Sequence, residues 1–329
     1  MKAVVFKEFG SSDVLEFVER PIPLPAEDEV LVRVDAVTVD NVDIIIRKGL
    51  YPTELQNPAI TGRDLVGAVE SVGKSVKNFL PGDAVWTNSA GFDGRMGATA
   101  EYVAVRADRL YRIPESVDPH RLVASVHSSS TAQIVTREMM KLREGDTILI
   151  EGAGGNVGRK FVQCAHALKA RVFTTSSEKS FDALYALGAD RCFSYDTSGM
   201  EELSSIRDDV AIRHIIDTSG KVTLSQNLSL LGFGGQLTLI TPPPADTSFD
   251  ASAFYMNDQC IRGFVLSHAT CAQLEDNAQH LNRYFEQGLL LEDPVEFHSL
   301  EDVPELHAQL EKEGAHGMKY VILTEANLF

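Results

Sequence analysis

Short strand-like hydrophobic runs recur through the first 120 residues, Ala3–Phe6, Glu29–Val34, Gly67–Val72, Asp83–Trp86 and Glu101–Val105, and several of them alternate hydrophobic and polar positions with a period of two. This alternation, punctuated by Gly and Pro, predicts antiparallel strands with one wet face, gathered into a compact β domain. Pro81-Gly82-Asp83 is a turn feeding one of them. From about residue 121 to 267 the pattern changes: apolar, β-branched runs alternate with stretches of helical period, as a parallel sheet with covering helices requires. The candidate strands there are Thr147–Ile150, Ala170–Thr175, Arg191–Tyr195, Arg213–Asp217 and Gln236–Thr241. Residues 268–329 add helices near Cys271–Glu286 and Val303–Glu313 and a last strand, Lys319–Leu323. The reading is an α/β chain in which a doubly wound domain, 121–267, is inserted into a β domain made of 1–120 and 268–329.

Within the inserted domain, Thr147–Ile150 runs into the glycine-rich turn Gly152–Gly158, then into a helical pattern with Val157, Phe161, Ala165 and Leu168 on one face, then into the next strand. Strand, glycine turn, helix and strand in about 30 residues form the βαβ unit that binds dinucleotides, where an isolated glycine motif would say little. The strict three-glycine pattern is not fully met: with Gly155 and Gly158 at its last two positions Ala153 stands at the first, where alanine still allows a tight turn. Gly155 lets the backbone approach a pyrophosphate, Gly158 lets the helix lie close to the strand, and the phosphates take the free N–H groups of Asn156, Val157 and their neighbours at the helix start.

A site for NAD carries Asp or Glu about 20 residues further on, bonded to the ribose 2′-hydroxyl. Here that place is held by Thr174-Thr175-Ser176-Ser177, with Lys179 close behind. Hydroxyls and a cation suit a 2′-phosphate, so NADP(H) is favoured, with Ser176, Ser177 and Lys179 as its contacts. Glu178 turned inward would serve NAD(H) instead, and Lys179 as an ordinary solvated side chain stays open.

Composition narrows the partners. A formal net charge of −17 argues against nucleic acid and anionic membrane surfaces. Four scattered cysteines, Cys164, Cys192, Cys260 and Cys271, form neither a disulfide framework nor a CxxC metal site, and no apolar run is long enough for a signal or a membrane span. The expected setting is the cytoplasm.

Eight segments in order, Met1–Val5, Gly62–Gly67 with Val69–Gly73, Pro81–Asp83, Ala100–Val103, Gly145-Asp146, Leu187–Asp190, Leu231–Gly235 and His316–Lys319, resemble the medium-chain dehydrogenase/reductase superfamily. Within it they resemble the zinc-free quinone oxidoreductase, or zeta-crystallin-like, branch. The resemblance spans essentially the whole chain. It implies a catalytic domain of GroES-like β-barrel type, an inserted Rossmann domain, and a homodimer joined through Rossmann-domain edge strands, here the Cys260–Ser267 region.

It also bears on the metal. Zinc-dependent relatives draw ligands from a Cys after the second barrel strand, a Gly-His-Glu motif and a residue before the cofactor helix. The corresponding positions here are Asp40, Gly62-Arg63-Asp64 and His127, and no Cys lies in residues 84–105. A permanent cation, Arg63, at the middle position argues against zinc. A carboxylate–histidine site from Asp40, Asp64 and His127 is the nominal alternative. Without it, His127 is expected to cap a loop or line the site, and Asp64 to contact backbone or arginine.

The implied activity is NADPH-dependent hydride transfer to a quinone or an α,β-unsaturated carbonyl. The alternatives are a zinc-type alcohol dehydrogenase relative with an altered metal site, and a low-turnover dinucleotide-binding protein. By resemblance the substrate-facing residues are Asp40, Asn41 and Tyr51, the phenol serving as donor or stacking ring. Asp40 stands where Asn is usual: either it is protonated, or Asn41 takes its role, or the substrate differs. The resemblance further assigns Thr131, Tyr195, Thr218, Ser219, Ile240, Thr241, Phe264, Val265, Leu266 and Lys319 to the cofactor.

Overall fold

The computed structural model describes residues 1–206, 210–245, 247–314 and 317–324. His316, part of one resembling segment, lies outside them. The chain divides into two compact units, Met1–His127 with Ala269–Phe329, and Ser128–His268.

In the first unit, the alternating runs form a seven-stranded sheet. Glu29–Val39 is its long central strand, paired antiparallel with Leu65–Val72, with Tyr102–Arg106 along its first half and with Lys319–Leu323 along its second. Register shifts between Leu31 and Val32 and between Val34 and Ala36 bend this strand, as bulges do. Lys2–Phe6 pairs separately with Glu16–Glu19 and Ala59–Ile60. Val4, Phe6, Val30, Val32, Leu65, Val85, Val103 and Ile322 share one core; each such side chain contributes about 1.5–3 kcal/mol by leaving water. The register Tyr320 opposite Val39 sets the next pair, Lys319 and Asp40, side by side.

The second unit is a six-stranded parallel sheet in the order Arg191–Ser194, Arg171–Ser176, Thr147–Glu151, His214–Asp217, Gln236–Leu239, Cys260–Gly263. The order runs outward in both directions from Thr147–Glu151, so the topological switch point lies between that strand and His214–Asp217. Phe173, Leu149, Ile215 and Leu237 lie in one register row and form the centre of the core. The helix after the glycine turn begins at Asn156, earlier than its apolar pattern shows, and runs to Ala167.

Two expectations are corrected. Residues 119–134 form one helix, Pro119–Ile134, so His127 belongs to a helix and not to a loop of its own. Gln236–Leu239 ends before Ile240 and Thr241, which stand in the loop beyond it.

Candidate functional site

On the first unit, a chain of bonded polar side chains is assembled from four separate elements. Asp40 precedes the helix Asn41–Arg47 and is fixed by a capping box: its N–H donates to Asp43 Oδ2 at 2.8 Å while Asp43 N–H donates to the Asp40 carbonyl at 3.0 Å. Lys319 Nζ donates to Asp40 Oδ1. The Thr38 hydroxyl lies 3.2 Å from both Asp40 Oδ2 and Asp64 Oδ2, and His127 Nδ1 is 3.0 Å from Asp64 Oδ1. Asp64 therefore contacts a histidine and a threonine, where backbone or arginine was expected.

Lys319, Thr38 and Asp64 are buried, and the side chains of Asp40 and His127 each keep 15% of their surface exposed. Those two are the points at which the chain of bonds reaches the surface. Burial by itself would raise the Asp40 carboxyl, but the charges of Lys319 and His127 and the bonds it accepts bring it down to about 2. Burial likewise works against the Lys319 ammonium, and Asp40 outweighs it, holding the lysine above its ordinary value. The bond from Lys319 and this lowering both hold Asp40 toward its ionised form. Burial pushes both Asp43 and Asp64 upward.

Asn41 is exposed at the first turn of its helix. Tyr51 is half-buried, its ring 5.3 Å from Phe92, and the Arg63 guanidinium lies 5.5 Å from the same Phe92 ring. Arg63 is buried, and desolvation lowers its pKa. Among the described residues, no group of three or more His, Cys, Asp or Glu side chains is arranged to hold a metal ion.

On the second unit, the positions assigned to a dinucleotide gather at the carboxyl ends of the parallel strands. Ser176 ends one strand, and Tyr195, Thr218, Ile240 and Phe264 each follow the last residue of another. Val265 and Leu266 continue beyond Phe264, at the start of a short 3-10 turn. Gly155 is the N-cap of the cofactor-side helix, in extended backbone at φ −79°, and a Cβ there would meet nothing nearer than Gly152 O at 3.5 Å. At Gly158 a Cβ would come within 2.6 Å of Ala153 Cα and Gly152 O. The turn therefore has an open outer face at Gly155 and a closed inner one at Gly158, the shape that a phosphate cradle needs. The Thr218 hydroxyl donates to the carbonyls of Glu151, at 2.7 Å, and Gly152, at 3.2 Å, while Ser219 N–H and Oγ both bond Asp217 Oδ1 at 2.8 Å. Ser176 is buried, Ser177 half-buried, and Lys179 and Tyr195 exposed; Thr131 is buried within the helix Pro119–Ile134.

Sequence reasoning missed Thr38, whose hydroxyl joins two carboxylates, and Glu151, a carboxylate that ends a wholly buried strand. Glu151 carried a visible signal: an acidic residue closing an apolar run.

Residues 26–115 match the family described as alcohol dehydrogenase GroES-like domain and residues 157–280 that described as zinc-binding dehydrogenase. A quinone oxidoreductase of Lama guanicoe is 28% identical over 98% of this chain and 97% of its own. A mycobacterial protein solved with NADPH superimposes with a TM-score of 0.83 at 25% identity, covering 98% of this chain and 99% of that one. A structure described as an NAD-dependent alcohol dehydrogenase gives 0.84 at 25%, with the same coverage. The chain belongs to the medium-chain dehydrogenase/reductase superfamily of oxidoreductases, in its quinone oxidoreductase branch. Its two folds are accordingly the GroES-like domain and the Rossmann domain. No helix among the described residues is long and apolar enough to cross a membrane.

Proposed function

We propose that the chain is an NADPH-dependent oxidoreductase that works without a metal and reduces a quinone or an α,β-unsaturated carbonyl. The observation that carries this reading is the Lys319–Asp40 ion pair: Asp40, at the first of the three positions from which zinc relatives take ligands, is bonded to the Lys319 ammonium, and the buried Arg63 occupies the second. Cations there oppose a metal ion and suit an electron-rich acceptor oxygen.

NADPH supplies the hydride when bound. The protein's part is to hold and orient. The Gly152–Gly158 turn and the N–H groups of Asn156 and Val157 take the pyrophosphate, and Ser176, Ser177 and Lys179 take the 2′-phosphate. Thr131, Tyr195, Thr218, Ser219, Ile240, Thr241, Phe264, Val265 and Leu266 line the rest at the strand ends. Because Asp40 is a carboxylate, it orients Lys319, kept for the cofactor, and donates nothing itself; the donors toward an acceptor are the Asn41 amide and the Tyr51 phenol. Asp64 holds the His127 ring by Nδ1. The edge strand Cys260–Gly263 is the pairing strand of a homodimer.

Purified protein is expected to oxidise NADPH with a simple quinone or enone, equally well with and without a chelator. Activity lost to chelator and restored by zinc would remove the metal-free reading. NADPH binding without turnover over a broad acceptor panel would leave a binding protein instead. Cofactor choice has its own check: Ser177→Asp sets a carboxylate against the 2′-phosphate and should weaken NADPH at least about tenfold, or 1.4 kcal/mol, while leaving NADH little changed. Equal effects on both cofactors would contradict the assignment.

A further inference from the structure

Glu151 and Asp217 end neighbouring parallel strands, are register partners, and face each other across the switch point of the sheet. Register partners in a parallel pair project to the same face, about 4.8 Å apart. Glu151 is completely buried and Asp217 nearly so. Asp217 Oδ1 is fully used, accepting from Ser219 N–H, Ser219 Oγ and Gly220 N–H. Asp217 Oδ2 and both Glu151 oxygens receive no hydrogen bond of normal geometry, although the Asn227 amide, from the helix Leu224–Leu230, lies beside Glu151. On its other flank the register partner of Glu151 is Thr175. None of these neighbours is a cation.

Two adjacent buried carboxylates without a cation resist ionising together, and a proton kept on Glu151 removes one of the two charges. We propose that Glu151 is a positioning residue: as a neutral acid beside Asp217 it leaves that carboxylate the one charge at the two strand ends, and so holds the Asp217–Gly220 turn against the Gly152–Gly158 turn in the form that accepts an anionic dinucleotide. This rests on the cofactor reading above. Thr218 already ties the two turns through its bonds to the carbonyls of Glu151 and Gly152. Burial first, then the charge of Asp217, push the Glu151 carboxyl up to about 8. Loss of its proton adds a second negative charge at the place where the pyrophosphate sits, so affinity falls as pH rises.

The test is a titration of the full chain with NADPH between about pH 6 and 10, with Glu151→Gln as the comparison, since Gln keeps a donor and cannot ionise. Wild-type Kd is expected to rise about tenfold per pH unit above about 8, the linkage for one proton, and the Gln variant to stay near the neutral wild-type value. The same slope in both proteins would overturn the proposal. If neither protein binds NADPH, the cofactor reading fails and the proton on Glu151 is read from thermal unfolding of the free chain. A carboxyl raised above its ordinary 4.5 contributes stability at low pH that is lost as pH climbs toward about 8. Wild type and Glu151→Gln should then melt together near the lower value and separate toward the upper one, with wild type the less stable. Parallel melting profiles would overturn the inference.

Discussion

Lys319→Met should lose about 3–5 kcal/mol of folding stability at neutral pH, the usual consequence of removing one partner from a buried ion pair. Lys319 is 3% exposed, and its Nζ bonds Asp40 within a cluster that also holds Asp43 and Asp64. Burial already pushes the latter two upward, and Lys319 is the nearest charge that keeps Asp40 at about 2. The pH dependence follows. The folded-state value of Asp40 lies below its ordinary 3.8, so its contribution is present above that value and is lost as pH falls through about 2. Lys319 is raised above its ordinary 10.5, so its contribution is present below that value and is lost as pH rises through the higher one. Destabilisation by Lys319→Met, measured by urea unfolding, should therefore be largest at neutral pH and shrink toward about pH 4, where the orphaned Asp40 takes up a proton. Adding Asp40→Asn to Lys319→Met should restore most of the loss, because no uncompensated charge is then left inside. A single substitution that is neutral at pH 7 would mean that the pair does not anchor the strand Lys319–Leu323.

That pairing shows where sequence reading reaches its limit. Asp40 and Lys319 were each assigned to the site by resemblance, yet they are 279 residues apart and are joined only by the register of Tyr320 against Val39. No local pattern encodes such a register. Local signals did serve where they were strong. Cys271–Glu286 begins at the Thr270–Gln273 capping box and Val303–Glu313 carries Pro304 in its first turn, and both helices span the residues that periodicity gave them. The glycine turn was legible for the same reason, since its backbone needs and its flanking elements all lie within one short segment. The helix Pro119–Ile134 carries no clear local signal, because Ser128, Ser129, Ser130 and Thr131 are weak helix formers that compete for backbone bonds; all four are buried, and burial overrides their propensity. Val295–Ser299 is half-exposed without alternation, so its strand character comes only from pairing with Lys319–Leu323.

The glycine turn itself yields a contrast that separates folding from binding. Gly155→Ala should fold normally, because its φ of −79° suits any residue and the new Cβ meets nothing closer than 3.5 Å. Reduced freedom of the unfolded chain even favours the variant by about 0.4–1 kcal/mol. Its methyl group nevertheless projects from the open face of the turn, where the pyrophosphate is proposed to approach, so NADPH affinity should fall at least about tenfold, or 1.4 kcal/mol. Gly158→Ala should do the opposite. Alanine's better helix propensity is worth about 1 kcal/mol, but its Cβ falls 2.6 Å from Ala153 Cα and Gly152 O, backbone atoms that cannot swing aside. The helix Asn156–Ala167 must then lift from the strand end, and a net loss of about 2–3 kcal/mol is expected from overpacking. Urea unfolding and NADPH titration on both variants decide the matter. Gly155→Ala with unchanged affinity would place the phosphates elsewhere, and Gly158→Ala with unchanged stability would mean that helix and strand are not in the close contact on which the cradle depends.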